Sequence, residues 1–419
     1  MIINYFQNIW LKFKYLTKEN IFGETFRLFL IISIFFSIIF SFNFINNGEQ
    51  QFSYLADSFL HNKLYFIEAL PSSGDMAFSN GKFYWPLGLF PAVILMPFVF
   101  IFKVLGLFFY QGYLNFILVI LTFLVVFRIG IKLNYSKIDS LFLAVAFCFA
   151  SAYLGVAAIT WSWYFAHVIT VLLIFLSISE YLTKKRYWLI GLLFGLIFLT
   201  RATAGVGIVF FILDIFSAKN TFKHKIKNLI NLAAPFASMV LIYFMYNYLR
   251  FENILEQGYS TQIFGENLTK ARSYGLFNLI HLPGNLYYLF LSMPSPVFRD
   301  SISHALKFPF IKVDPWGMSI FLTSPYLFYL LFLKYENKTS YFLMFTITLI
   351  ALPILLFFGV GVRQFGYRFA LDFMPFLFLL FMINYKEQKN HLSDKLKILI
   401  VIAAVFNLYL LFTIFLCPG

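Results

Sequence analysis

Long apolar runs are the feature of this sequence that most restricts its fold. The first extends from about Phe26 to Phe44, and comparable runs recur along the chain. A helix needs about 20 such residues to cross the hydrocarbon core of a bilayer. Spans of this kind must be helical, because lipid offers the backbone no hydrogen-bond partners. With 61% hydrophobic and 12% charged residues, the sequence predicts an all-α polytopic membrane protein.

The formal net charge of +14 would by itself suit a nucleic-acid partner. The basic residues, however, lie in short loops between apolar runs, which is typical of topology signals and of contacts with anionic lipids. We therefore expect membrane lipids, and no nucleic acid, among the partners. Cys148 lies within an apolar run and Cys417 near the end of the sequence, so neither a disulfide framework nor a cysteine metal cluster is predicted.

Basic loops define the predicted topology, since Lys and Arg are enriched on the cytoplasmic side. The first apolar run is not followed by a small-residue cleavage site, so we expect a first span and not a removable signal peptide. The sequence predicts about eleven transmembrane helices in the cytoplasmic (inner) membrane, with the N-terminus inside. The predicted regions are a cytoplasmic segment 1–25, a transmembrane module 26–249 that includes an external loop 46–110, an external loop 250–315, and C-terminal transmembrane helices 316–419.

Two apolar runs conflict with this topology if each is treated as a simple span. The run 87–110 follows Pro86 and contains Pro91 and Pro97, which remove backbone donors and disturb helices, so we expect an amphipathic or re-entrant helix there. The run around Arg201 must return to the side it left, which predicts two short helices meeting at this arginine on the outer face. The alternative is one tilted span with an intramembrane arginine, at a cost of roughly 3 kcal/mol.

The first external loop is acidic, whereas the cytoplasmic loops are basic. Within "FSYLADSFLH" the apolar residues recur at helical spacing, which predicts an amphipathic helix on the membrane surface. The alternative is that its charged residues are ordinary polar groups of an interfacial helix. The polar and aromatic candidates of this loop are Glu49, Asp57, His61, Asp75, Lys82, Tyr84 and Trp85.

Several arginines are predicted on the outer face, against the usual preference for basic residues inside. Such cations are expected where an anion is bound, although anchoring to lipid phosphates is the alternative. The motif "RQFGYRFALDFMP" contributes two of them just before a span. The four predicted external arginines are Arg201, Arg250, Arg363 and Arg368.

Carboxylates and arginines at one membrane face suit the transfer of a sugar from a phosphate carrier. A positioned carboxylate accepts the proton of the acceptor hydroxyl, and fixed cations or a divalent metal stabilise the departing phosphate. A carrier with an isoprenoid tail needs an apolar groove, for which the run from Pro86 to Pro97 is a candidate wall. The acids of the first loop are hard ligands suited to Mg²⁺ or Mn²⁺, but no tight ligand spacing is present.

The order of these features resembles the GT-C class of integral-membrane glycosyltransferases, which includes protein mannosyltransferases and lipid A aminoarabinose transferases. The likeness covers about residues 25–385 and rests on short motifs such as "GEQQFSYLADSFLHNKLYF", "WSWYFAHVITVLL", "GLLFGLIFLTRATAG" and "GYRFALDFMPFLF". It implies a polyprenyl-phosphate sugar donor, an active site on the external (periplasmic) face, and inversion at the anomeric carbon. The implied acceptor is a lipid, a glycan or a protein.

The resemblance also implies roles for individual residues. The class commonly carries an Asp-Glu pair after the first span, which here reads Gly48-Glu49, so Glu49 and Asp57 are equal candidates for the base and Asp75 is third. The residues that match donor-phosphate binders are Lys82, Arg363 and Arg368, to which the predicted topology adds Arg201. The expected substrate pocket comprises His61, Asp75, Tyr84, Trp85, Trp161, His167, Arg250 and Tyr259.

Two other functions are compatible with the sequence. A transporter or flippase would carry charges near mid-membrane and inverted repeats, and neither is evident here. A polysaccharide polymerase or ligase acting on a polyprenyl-linked substrate would use one large late external loop, and the loop 250–315 contains basic residues for that purpose. Those residues are Arg272, His281, Arg299 and His304.

Overall fold

The computed structural model describes residues 21–45, 48–68, 74–300 and 302–416. Most of the predicted cytoplasmic segment 1–25 and Cys417 therefore lie outside the described residues. The helices are α1 Ile21–Ile45, α2 Gln51–Leu60, α3 Phe90–Val104, α4 Gln111–Lys132, α5 Lys137–Cys148, α6 Tyr153–Ala158, α7 Ser162–Tyr181, α8 Tyr187–Phe198, α9 Ala202–Gly205, α10 Val209–Ser217, α11 Phe222–Phe251, α12 Glu266–Ser273, α13 Leu282–Phe290, α14 Ile320–Thr323, α15 Lys338–Leu356, α16 Met374–Lys389 and α17 Asp394–Leu416.

Six of these helices are long and apolar enough to cross a membrane. Shorter apolar helices occupy Phe90–Val104, Tyr187–Phe198 and Ala202–Ser217, so the predicted count of about eleven spans stays a prediction. The central helix of the bundle is α7, which is mostly buried among the others. The six candidate spans are Thr25–Ile45, Gln111–Lys132, Ser162–Tyr181, Phe222–Phe251, Lys338–Leu356 and Asp394–Ile414.

The chain reverses direction at Arg201, as the sequence predicted. Helix α8 ends at Phe198 and helical structure resumes at Ala202. Near the far end of α10, the Asp214 carboxylate lies 3.2 Å from the Lys185 Nζ, just before α8 begins. This contact closes a helical hairpin with Arg201 at its tip, so the prediction of two short helices is confirmed and a single span is excluded.

The first external segment contains a helix, a β-hairpin and a second helix. The predicted amphipathic helix is α2, and it packs along α3. Between them, β1 (Ala77–Ser79) pairs antiparallel with β2 (Lys82–Tyr84). A second antiparallel pair, β3 (Ser295–Phe298) and β4 (Leu306–Lys312), lies in the predicted loop 250–315. The fold is thus predominantly helical, with two hairpins that the all-α prediction missed.

Loops from distant parts of the chain meet at one end of the bundle. The Gln111 side-chain amide, at the start of α4, donates to the backbone oxygen of Glu49 over 2.9 Å. Arg250 Nη1, at the end of α11, donates to the Trp85 carbonyl over 2.8 Å. The loop before α16 joins the 315–319 segment, since the backbone N–H of Tyr367 donates to the Met318 carbonyl over 3.0 Å. The candidate site lies where these loops converge.

Candidate active site

A cavity of about 320 Å³ lies among the converging loops, within the size range of small-molecule sites. Its polar part is lined by Asp75, Trp163, Arg201, Thr203, Glu256, Tyr259, Gln262 and Arg368. Its apolar part is lined by residues such as Phe198, Leu276, Phe277, Pro353, Ile354, Phe357 and Phe358. A ligand that fills both parts needs a polar head and an apolar tail.

The apolar wall differs from the one predicted. The sequence suggested the proline-rich run 86–97, but only Leu87 and Gly88 of that run contribute to the lining. Gly88 is pressed against the tip of the helical hairpin, where an added Cβ would lie 2.0 Å from the Leu199 carbonyl oxygen. Part of the apolar lining instead comes from residues at and just after the end of α15 and from the loop before α13.

Asp75 is a carboxylate held inside this cavity. Its Oδ2 accepts a hydrogen bond from Trp163 Nε1 over 3.2 Å, and its backbone oxygen accepts one from the Gln262 amide over 2.8 Å. Burial raises the pKa of Asp75, while Arg368, the Trp163 hydrogen bond and Arg363 act in the opposite direction. A carboxylate with a raised pKa next to fixed cations is suited to accept a proton from a substrate.

Glu49 lies within electrostatic reach of the same groups. Burial and the neighbouring Asp75 carboxylate raise the pKa of Glu49. A hydrogen bond from Gln51 opposes that rise, as do the positive charges of Arg363 and Arg368. The Gln51 Nε2–Glu49 Oε2 distance is 3.4 Å. The structure therefore brings two of the three predicted acids, Glu49 and Asp75, close to Arg363 and Arg368. These arginines belong to the loop between α15 and α16, called the late loop below.

The residue before Glu49 has no room for a side chain. A Cβ added to Gly48 would lie 2.0 Å from Trp161 Nε1. The Trp161 ring is stacked on Tyr164 with 5.6 Å between centroids. The place where the resemblance implies an aspartate is thus closed by an indole ring.

Arg368 is the cation that reaches the cavity from the late loop. It is buried, and its guanidinium carbon lies 5.1 Å from the centroid of the Tyr164 ring and 5.1 Å from that of Phe369. Its Nη1 donates to the Val362 carbonyl over 3.1 Å, whereas its Nε has no hydrogen-bond partner among the described residues. A buried donor without a partner is costly, so this atom is a candidate for contact with a bound anion.

Arg201 also lines the cavity, but its charge is neutralised. Its Nε and Nη2 donate to the Asp372 carboxylate over 2.6 and 3.0 Å, and Thr203 donates to the same group. The ring of His167 lies behind this pair, with its Nδ1 3.5 Å from Asp372 Oδ1. Asp372 was not among the predicted site residues, although its place one turn after Arg368 in the motif was a usable signal.

Several predicted residues lie outside the cavity lining. Asp57 pairs with Lys103 over 2.6 Å and has the His61 ring 3.7 Å away. The Lys82 ammonium lies 4.6 Å from the centroid of the Tyr65 ring. The predicted pocket residues Tyr84, Trp85 and Arg250 instead join the first external segment to the end of α11 through the Tyr84–Phe251 ring contact and the Arg250–Trp85 hydrogen bond. Trp85 also contacts the Trp163 ring at the start of α7.

No group of three or more His, Cys, Asp or Glu side chains is arranged to hold a metal ion within the described ranges. The sequence predicted no particular metal and left Mg²⁺ or Mn²⁺ as an option.

Comparisons with known proteins place the chain far from characterised sequences. No family model matches it, and no curated protein is significantly similar. Among solved structures, it is similar to the apo form of the Archaeoglobus fulgidus oligosaccharyltransferase, with 13% sequence identity and a TM-score of 0.47. The match covers 94% of this chain and 56% of that enzyme.

Proposed function

We propose that the chain is an integral-membrane glycosyltransferase that moves a sugar from a polyprenyl-phosphate donor to an acceptor on the outer face of the membrane. The observation that carries the proposal is that Asp75 and Arg368 line one cavity whose other part is apolar. A sugar phosphate with an isoprenoid tail has a polar head that suits the part with Asp75 and Arg368, and an apolar tail that suits the other part. The acceptor is a lipid, a glycan or a protein.

The reaction needs a base for the acceptor hydroxyl, and Asp75 is our first candidate. As the hydroxyl oxygen forms a bond to the anomeric carbon, its proton passes to the carboxylate. The bond between that carbon and the phosphate oxygen breaks, and its electron pair leaves on the phosphate. Attack opposite the leaving group inverts the anomeric centre. Glu49 is the second candidate base, whereas the Asp57 carboxylate is engaged with Lys103 outside the cavity lining.

The departing phosphate is stabilised by arginines of the late loop in this proposal. Arg368 has a buried Nε without a partner in the described structure, and Arg363 is exposed close by, 5.9 Å from the Trp161 ring centroid. Fixed cations of this kind stabilise charge that develops in the transition state. Arg201 positions the site through its pair with Asp372, since its charge is already balanced.

The alternative of a polymerase or ligase working through the loop 250–315 receives less support. Arg272 Nη1 donates to the backbone oxygens of Tyr259 and Gln262 over 2.9 and 3.0 Å, and His281 contacts the Gly275 carbonyl. These side chains hold the loop together and are not part of the cavity lining. No observation on the described residues favours the transporter alternative.

The test is a transfer assay with purified protein, a panel of labelled polyprenyl-phosphate sugars and membrane extract as the source of acceptors. We expect wild-type protein to release polyprenyl phosphate and label an acceptor, and Asp75→Asn to lose roughly 10²–10⁴ of the rate, as for removal of a general base. Asp57→Asn, which alters a carboxylate outside the cavity lining, is the matched control. Full turnover by Asp75→Asn would remove this residue as the base.

A further inference from the structure

The hairpin formed by β3 and β4 exposes an apolar patch. Cross-strand partners Phe298 and Leu306 are both exposed, and the rings of Phe308 and Phe310 contact each other with 6.2 Å between centroids. Ile302 at the turn is 88% exposed and Phe308 is 66% exposed. Contiguous exposed patches of this kind mark a surface that meets a membrane or a partner. The patch consists of Phe298, Ile302, Leu306, Phe308 and Phe310.

The hairpin lies on the lipid-facing side of α17, a candidate span. The exposed apolar side chains of α17 form one stripe at helical spacing, made of Ile398, Ile402, Val405, Phe412 and Leu416. Tyr409 continues this stripe, and its hydroxyl donates to the Pro309 carbonyl. The Val313 N–H also donates to Thr413 Oγ1 over 3.1 Å. The hairpin therefore covers part of the surface that α17 would turn to lipid.

These contacts also indicate how deep the hairpin lies relative to the end of the candidate span α17. Tyr409 precedes the end of the candidate span, Ile414, by five residues, which corresponds to about 7 Å along a helix. A two-stranded sheet has unpaired edges that cannot enter hydrocarbon, whereas exposed Phe and Leu side chains next to basic residues suit the boundary between headgroups and acyl chains. The basic side chains Arg299, Lys307 and Lys312 suit the phosphates at that level.

We propose that the hairpin 295–312 is a membrane anchor whose apolar patch inserts at the boundary between headgroups and acyl chains. Its partner is the lipid bilayer itself, in the leaflet on the side of the candidate active site. Strand β4 leads directly into the 313–319 segment, where the Pro315 carbonyl accepts from the Gln364 N–H of the late arginine loop over 3.2 Å. The anchor thereby sets the height of that loop relative to the membrane surface.

Spin-label accessibility in liposomes of phosphatidylethanolamine and phosphatidylglycerol tests the anchor. A nitroxide is attached at Phe308→Cys, with Cys148→Ala and Cys417→Ser removing the native thiols. We expect the ratio of oxygen to nickel-chelate collisions to be severalfold higher than at Thr261→Cys, an exposed position, and to approach that at Ile402→Cys on the lipid-facing stripe. The same ratio at 308 and 261 would overturn the proposal.

A second label at Leu306→Cys separates lipid from protein contact. Both positions are exposed, so labelling leaves the packed interior intact. Exposure to oxygen at 306 and 308 supports the anchor. Exclusion of both reagents at both positions would mean that a protein surface covers the patch, and would also overturn it. Because no turnover is measured, the result is independent of the proposed transferase activity.

Discussion

At the scale of single residues, the acids of the first external loop differ in their surroundings and in how well the sequence predicted them. Helical spacing correctly put Asp57 in α2, but the residue is buried and not on a solvent-facing side. Its partner Lys103 is 46 residues away in an apolar run, and no local pattern could reveal that pair. Asp75 follows no regular periodicity, because it lies in a loop before a three-residue strand. Its position beside Trp163 and Arg368 depends on tertiary contacts alone.

The contact between Gly48 and Trp161 predicts a steric cost for any side chain at position 48. We expect Gly48→Ala to lower the free energy of unfolding by about 1–3 kcal/mol, as overpacking commonly does. Thermal unfolding in detergent measures it. Gly284→Ala is the matched control, since nothing lies within 4 Å of its added Cβ. Combining Gly48→Ala with Trp161→Phe should restore part of the loss, and an unchanged midpoint in the single variant would refute the contact.

The buried pair of Arg201 and Asp372 predicts a larger effect. Asp372→Asn leaves a buried guanidinium without its counter-charge, and loss of one partner of such a pair costs about 3–5 kcal/mol. Asp57→Asn breaks a pair whose Lys103 is half exposed, so it should cost under about 1 kcal/mol. Chemical denaturation of both variants makes the comparison. Equal losses would show that Asp372 does not neutralise Arg201.

The raised pKa of Asp75 predicts the direction of the pH dependence. The base must be ionised to accept a proton, so the transfer rate should fall as the pH decreases through this pKa. We expect the acid limb of the pH–rate profile above the ordinary aspartate value of 3.8. Asp57→Asn should leave that limb in place. A limb at or below the ordinary value would contradict Asp75 as the base.

At the scale of elements, the strongest sequence signals were confirmed. The helical hairpin around Arg201 followed from charge balance across the membrane, and α2 followed from a period near 3.6. The two β-hairpins were missed, because strands as short as Ala77–Ser79 carry no readable alternation. The apolar cavity wall was misassigned, since α15 and the loop before α13 approach the site only through tertiary packing.

Arg250 joins α11 to the first external segment, so replacing it should both loosen that segment and lower the transfer rate. Arg250 is buried and joins Trp85 to Asn247 through hydrogen bonds of 2.8 Å each. Arg250→Ala should loosen the segment that carries Asp75, increasing tryptic cleavage at Lys63 and Lys82 and lowering the transfer rate. Lys270→Ala, an exposed basic position, is the control. Unchanged cleavage in Arg250→Ala would refute this role.

At the scale of the whole molecule, the charge pattern of the loops predicted which segments meet. Segments following α1, α8 and α11 and the loop before α16 all contribute to one end of the bundle, as the topology required. The number of spans could not be predicted equally well, because several apolar helices are shorter than a bilayer crossing. Hydropathy alone does not distinguish a short buried helix from a span.

The predicted orientation of the protein in the membrane can be tested by cysteine labelling. Thr261→Cys in intact cells should react with a membrane-impermeant maleimide, because the loop 250–315 is expected outside. Lys184→Cys, in a loop expected inside, should react only after permeabilisation. The reverse pattern would put the cavity on the cytoplasmic face and end the proposal of an external transferase.

The 313–319 segment has a consequence for biosynthesis. It is held on one side by Thr413 of α17 and on the other by Gln364 of the arginine loop. During vectorial synthesis, the ribosome completes that loop roughly fifty residues before it delivers the helix that supports it. The loop proposed to bind the phosphate is therefore synthesised before the helix that braces it, and a chain terminated before Thr413 would leave the loop unbraced. We expect the proposed transfer activity to require the inserted α17.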